Sequence, residues 1–186
     1  MKQTSLTLLR TKISELRAKF RMIWYKSLGV RIGEGSKLGK IGCAWPGNLQ
    51  IGKFCVIEDK VDFKVAHPFS ETNYIQIGDK AFIGRCCEFH TGSKIIIGKD
   101  CLIASQNIFV GVGHDYAPEM PINVQPRNFG DIVLEDDVWI GTGCKILQGV
   151  VIGKGSIVGA GSVVNKSIPP YEIWAGVPAR FIKKRI

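Results

Sequence analysis

Along most of the chain an aliphatic residue or phenylalanine returns at every sixth position, often followed by glycine. The series runs Ile51, Ile57, Phe63, then Ile77, Ile83, Phe89, then Ile97, Ile103, Phe109, and after a gap Leu134, Ile140, Ile146, Ile152, Val158 and Val164. Four positions after these come small or medium residues: Cys55, Val61, Ala81, Cys87, Ser93, Cys101, Asn107, Val138, Cys144, Val150, Ser156 and Ser162. Two inward positions per hexad, separated by polar and glycine positions, predict a short strand and a turn, with three hexads closing one triangular coil. The expected fold is all-β, a solenoid whose coils each bury a face only against the next. The start, around Ile32 and Leu38, is less regular.

The pattern changes at the N-terminus. Leu6, Leu9, Ile13, Leu16, Phe20, Ile23 and Ser27 recur at three-and-four spacing with cations between them, which predicts an amphipathic helix over residues 4 to 27. The expected organisation is therefore a helical extension (1–28) followed by a solenoid domain (29–186) with a C-terminal tail. Two interruptions of the period, residues 65–76 and 111–131, are expected as loops on the rigid coils, where chemistry tends to sit. For the helix the favoured expectation is that its apolar stripe packs on the solenoid and caps the first coil. The other reading is contact with an anionic membrane, which Arg10, Lys12, Arg17, Lys19, Arg21 and Lys26 with Trp24 and Tyr25 would suit.

Composition narrows the function classes. The chain of 186 residues carries 22 Gly and 6 Cys but only 3 His, which fits turn-rich repetitive structure. The cysteines form no CxxC pair, and Cys55, Cys87, Cys101 and Cys144 fall on the small inward position, so they read as core filler. No signal-peptide pattern or membrane-spanning apolar stretch is evident, and a reducing, cytoplasmic setting follows as the expectation. The net charge of +9 is concentrated at the two ends, leaving about −1 for the residues between. A nucleic-acid binder would instead carry its cations along a groove through the body, so no nucleic-acid partner is expected.

The chain resembles the hexapeptide-repeat acetyltransferases, and among them the sugar O-acetyltransferases related to galactoside and maltose acetyltransferase. The motifs that carry this are Asp137 to Gly141, Ile157 to Val164, Ile168-Pro169-Pro170, and Ala175-Gly176-Val177-Pro178-Ala179-Arg180. The resemblance implies a left-handed parallel β-helix, a homotrimer, and active sites between adjacent subunits. It implies acetyl-CoA as co-substrate, no metal, and a saccharide, sugar-nucleotide or lipid-linked acceptor. It makes His114 the catalytic base, with Trp139 either an indole donor near the site or merely a cover for the coil. A sugar hydroxyl is a poor nucleophile at neutral pH, so an imidazole must take its proton as the oxygen attacks. Asn107, Asp115 and Glu88 are the acceptor-side candidates. Thr142, Ala160, Asn165, Lys166, Arg180 and Lys183 are the expected coenzyme contacts, since phosphate oxygens reward Arg and Lys. Asn165 and Ser167 depart from the residues most frequent at those positions.

Three other readings remain at this level. Transfer to an amine of a nucleotide sugar keeps the coenzyme and changes the acceptor. A γ-type carbonic anhydrase shares the fold, but His67, His90 and His114 lack the close histidine pair its metal site uses. A non-catalytic scaffold would bind no coenzyme.

Overall fold

The computed structural model describes residues 4–186. Residues 1–3 of the expected N-terminal extension lie outside the described residues. The amphipathic segment forms α1 (Ser5–Ser27), capped by the Thr4 hydroxyl, which accepts the Thr7 N–H at 3.3 Å. The helix stops at Gly29, whose φ of +105° suits a residue without a Cβ. The Gly29 N–H bonds the Lys26 carbonyl and the Val30 N–H bonds the Tyr25 carbonyl, satisfying the last turn and burying Val30 at the open end of the solenoid.

Six coils follow. Coil 1 holds β1 (Arg31–Ile32), β2 (Lys37–Leu38) and β3 (Ile41–Cys43). Coil 2 holds β4 (Leu49–Ile51), β5 (Val56–Ile57) and β6 (Val61–Val65). Coil 3 holds β7 (Tyr74–Ile77), β8 (Phe82–Ile83) and β9 (Glu88–Thr91). Coil 4 holds β10 (Lys94–Ile97), β11 (Leu102–Ile103) and β12 (Ile108–His114), after which β13 (Arg127–Phe129) leaves the coil. Coil 5 holds β14 (Ile132–Leu134), β15 (Trp139–Ile140) and β16 (Lys145–Leu147). Coil 6 holds β17 (Val151–Ile152), β18 (Ile157–Val158) and β19 (Val163–Val164). A terminal hairpin, β20 (Glu172–Gly176) and β21 (Ala179–Lys184), closes the far end.

The first, second and third strands of successive coils stack into three parallel faces, A, B and C, of a left-handed β-helix. Face B is extended by β20, parallel to β18, and by β21, antiparallel to β20. Register is pinned by the period of six. Ile51, Ile77, Ile97, Leu134 and Ile152 lie opposite one another along face A, and every one of them is buried. On face C, Phe63 stacks on Phe89 at 5.1 Å and Phe89 on Phe109 at 4.5 Å, so three coils share one aromatic column.

The small inward positions fill the coil corners. Cys55, Cys87, Cys101 and Cys144 are all buried, and burial pushes the Cys87 and Cys101 thiols up to about 11. These thiols stay protonated and donate weakly to carbonyls, Cys87 to Ala104 and Cys101 to Glu135, both at 3.1 Å. Ser93 is the exception among the predicted inward residues. Two extra residues separate Phe89 from Ile97, so Ile95, fully buried, takes the inward place and Ser93 turns to bond Asp131. The glycine after an inward residue serves close approach of coils: a Cβ on Gly78 would meet the Gly98 carbonyl carbon of the next coil at 2.7 Å.

Two expectations are corrected. The predicted apolar stripe of α1 does not pack on the solenoid. Leu6, Phe20 and Ile23 are 80%, 64% and 65% exposed, and the cap is made by Met22, Tyr25 and Arg21 on another side of the helix. Tyr25 donates its hydroxyl proton to the Ile41 carbonyl at 3.2 Å and accepts the Ile41 N–H at 3.0 Å, and Arg21 donates to the Leu38 carbonyl. The predicted loops are also narrower than the breaks in period. Val65 belongs to β6 and residues 74–76 to β7, while residues 111–114 and 127–129 form a β-hairpin rather than an irregular loop.

Candidate active site

Both insertions leave the prism at the same corner, between faces C and A, one in coil 2 and one in coil 4. The strand that carries the second, β12, is longer than its neighbours on face C. Its first four residues pair with β9, and its last three pair antiparallel with β13, so that Val112 faces Phe129, Gly113 faces Asn128 and His114 faces Arg127. His114 is thus the last residue of a strand that runs out of the rigid body, and it is exposed.

Polar bonds brace this hairpin against the next coil. The Asp115 N–H bonds the Pro126 carbonyl at 3.0 Å, and the Asp115 carboxylate accepts from Asn128 at 2.8 Å. Gln148, at the matching corner of coil 5, donates to the Asn128 side-chain oxygen at 2.8 Å. Beyond His114 the chain closes on itself: the buried Gln125 side chain accepts from the Ala117 N–H and donates to the Ala117 and Met120 carbonyls, all at 2.8 Å. Tyr116, Met120, Ile122 and Val124 remain exposed on the tip, an apolar surface with nothing of this chain covering it.

The other insertion meets the hairpin. Asn48 of coil 1 donates to the Pro68 and Asn73 carbonyls, fixing the segment that follows β6. The His67 ring meets the Phe129 ring edge-on at 5.6 Å, and Phe129 lies over Gly92, where any Cβ would collide with it. Gly92 is therefore what lets the hairpin fold down across coil 3.

The remaining candidates divide. Asn107 is fully buried, donates to the Ala104 carbonyl at 2.7 Å and accepts the Cys144 N–H at 2.6 Å. It cross-links coils 4 and 5 from inside, the inward position that the period gave it and not the acceptor contact that the resemblance implied. Asp115 is committed to holding the hairpin. Glu88 stands on the outer side of face C, with its carboxylate 3.1 Å from His90 Nε2. That contact is off the line of a hydrogen bond, and His90 Nε2 is sealed from water without a hydrogen-bond partner among the described residues. Trp139 stands on face B, 47% exposed, away from the corner that carries His114. It belongs to an outward apolar row of Val56, Phe82, Leu102, Trp139, Ile157 and Ile173 in successive register.

Three of the expected coenzyme contacts converge at the corner between faces B and C. Thr142 and Ala160 occupy that corner in coils 5 and 6, linked through the Gly161 N–H to the Thr142 carbonyl at 2.8 Å. Arg180 faces Ala175 across the terminal hairpin, and Ala175 abuts Gly159. The Thr142 hydroxyl donates to the Ser105 carbonyl, while the backbone N–H groups of Thr142 and Ala160 take no partner within the chain among the described residues. Exposed amide donors beside a guanidinium fit a ligand with amide carbonyls and phosphates. Lys183 lies further along β21, opposite Ile173, and Asn165 and Lys166 lie at the C–A corner after β19.

Sequence reasoning weighed His90 only against a metal site and missed Arg127, Asn128 and Gln148. Only His90 had a local signal, its two-residue spacing from Glu88 on a strand. The other three act through a pairing between residues far apart in the chain.

The family model described as bacterial transferase hexapeptide (six repeats) matches residues 131–166. A probable macrolide acetyltransferase of Lysinibacillus sphaericus is 41% identical over 121 residues, covering 62% of this chain and 66% of the relative. The putative colanic acid biosynthesis acetyltransferase WcaF of Escherichia coli K12 is 33% identical over 138 residues, covering 74% and 70%. Among solved structures, AntD, an N-acyltransferase from Bacillus cereus in complex with dTDP and 3-hydroxybutyryl-CoA, superposes with a TM-score of 0.76 at 26% identity, covering 89% of this chain and 88% of AntD. The chain spans between about half and two thirds of the length of the first curated relatives it matches. On the repeat, the coil geometry and the extent of the match to WcaF, the chain belongs to the hexapeptide-repeat acetyltransferase family.

Proposed function

We propose that this protein is an acetyl-CoA-dependent O-acetyltransferase acting on a saccharide hydroxyl in cell-surface glycan assembly, working as a homotrimer in the cytoplasm. The observation that carries the reading is His114 itself, an exposed imidazole set on the end of a strand and braced through Asp115, Asn128 and Gln148. In this role His114 takes the acceptor hydroxyl proton while the oxygen attacks the acyl carbon, and returns it to the departing sulfur, work worth about 10²–10⁴-fold in rate. The acetyl thioester supplies the activated acyl group.

The two clusters stand at different corners of one prism. The apolar row through Trp139 and the uncovered hairpin tip supply surfaces for neighbouring copies, so that a hairpin from one subunit can meet face B of the next. In that arrangement the Trp139 indole N–H would serve the developing oxyanion. Thr142, Ala160 and Arg180 would hold the coenzyme along the B–C corner, with Lys183 at the nucleotide end, and Asn165 and Lys166, at the C–A corner with His114, would reach it from the neighbouring copy. Glu88 and His90 would face the acceptor. WcaF, named for colanic acid biosynthesis, supports a glycan as acceptor. The finer likeness to galactoside and maltose acetyltransferase belongs to the same proposal.

AntD, a mutant of which is solved in complex with dTDP-4-amino-4,6-dideoxyglucose and coenzyme A, favours a second reading, acyl transfer to the amine of a nucleotide sugar. Thiol release from acetyl-CoA, measured against a panel of neutral sugars, nucleotide sugars and their amino counterparts, separates the two. Turnover on hydroxyl acceptors supports O-acetylation. Turnover confined to amines assigns N-acetylation, and none on any acceptor contradicts both.

A further inference from the structure

The geometry of α1 points to an anionic lipid bilayer as its docking partner. This rests on the helix alone and not on the proposed activity.

The exposed stripe has a stricter order than simple amphipathicity. Leu6, Ile13 and Phe20 recur every seven residues, and Leu9, Leu16 and Ile23 recur every seven residues three places later. That is the a/d seam of a heptad, a narrow apolar line along one side of the helix. One flank of the seam carries Arg10 and Arg17, followed by Trp24. The other carries Lys12, Lys19 and Lys26. At about 100° per residue, the side that docks on the solenoid through Met22 and Tyr25 lies roughly 180° around the helix from the seam. The only acidic residue of the helix, Glu15, lies towards that docking side.

This chain therefore anchors the helix by one side and holds the apolar line, exposed, on the other. The flanks decide what covers it. In a parallel coiled coil between identical helices Lys12 would meet Arg17, and neither flank carries an acidic residue to pair with the cations of the other. A second copy of α1 is thus disfavoured by charge, while an anionic surface is favoured by the same charges. Lysine and arginine stems can lie along the apolar line and lift their charged ends to lipid phosphates, with Trp24 and Phe20 at headgroup depth. The groove between helix and solenoid is lined by Leu6, Leu9 and Ile13 of the seam with Arg10, Arg17, Arg21 and Lys40 against Asp59, so the N-terminal half of the line borders coil 1 under net positive charge while Leu16, Phe20 and Ile23 stand outside it. No helix among the described residues is long and apolar enough to cross a membrane, so the contact is one of lying on the surface.

The test is co-sedimentation of the full-length protein with phosphatidylcholine vesicles prepared with and without phosphatidylglycerol. Binding should require phosphatidylglycerol and weaken as salt is raised. Replacing Lys12, Lys19 and Lys26 together by Gln should lower the partition coefficient on the order of 10²-fold. Leu9→Ser with Leu16→Ser should abolish binding with Tm unchanged, because neither side chain is packed in the fold. Equal binding to both vesicles, or to neither, overturns the proposal. So does self-association of the wild type that the Leu9 and Leu16 substitutions dissolve, because a second copy would then cover the stripe.

Discussion

The solenoid body and the hairpin that carries His114 are built by opposite rules. In the body every sixth residue is buried against its counterpart one coil away, and each corner is filled by a small side chain, so no single contact stands alone. The hairpin buries little, presents Tyr116, Met120, Ile122 and Val124 to its surroundings, and is held by a short relay of side-chain hydrogen bonds. Stability resides in the first, and the proposed chemistry in the second. Substitutions in one should therefore leave the other's property almost untouched.

The largest departure is expected in the body. Phe89→Ala removes the middle ring of the Phe63–Phe89–Phe109 column and leaves a cavity shared by three coils. A loss of about 3–5 kcal/mol in denaturant unfolding is expected. A cost under about 1 kcal/mol would mean that the coils are not packed as described. In the hairpin, Asn128→Ala cuts the relay between Asp115 and Gln148. Two side-chain hydrogen bonds are lost, and acetyl transfer should slow at least about tenfold, the rate equivalent of one of them, with Tm held. A change in Tm without a change in rate would assign the relay to the body instead.

The smallest effect sharpens the contrast through pH. Burial raises the Cys87 and Cys101 thiols from 9.0 to about 11, so the unfolded chain releases these protons at lower pH than the folded one. Their contribution is fully present below pH 9 and is lost as pH rises through about 11. Tm should fall across that window, and fall less in Cys101→Ala relative to its own value at neutral pH. An equal fall in both would remove buried thiols from the explanation.

The same division explains how much could be read from the chain. The period of six places nearly every buried residue because each inward position answers to a neighbour with the same local pattern. For Asn107 the period and the resemblance pointed different ways. The period put it on an inward position and the resemblance on the acceptor side, and a buried amide that bonds Ala104 and Cys144 fills the small inward place as well as a cysteine does. The α1 stripe misled in the other direction, because an apolar seam ordinarily packs inward and here Met22 and Tyr25 take that role. Arg127, Asn128 and Gln148 had no local signal, since their geometry arises only when β13 folds back on β12. His114 came from the family resemblance, and its perch at the end of β12 was not legible in any spacing.

The measurement that tests the account most directly is thiol release from acetyl-CoA by His114→Ala and by wild type on the same saccharide acceptor, with the Tm of both recorded. The account predicts a rate lower by about 10²–10⁴-fold at an unchanged Tm. A variant that keeps most of its rate, or that loses rate and Tm together, would contradict the assignment of His114 as the base on a hairpin separable from the core.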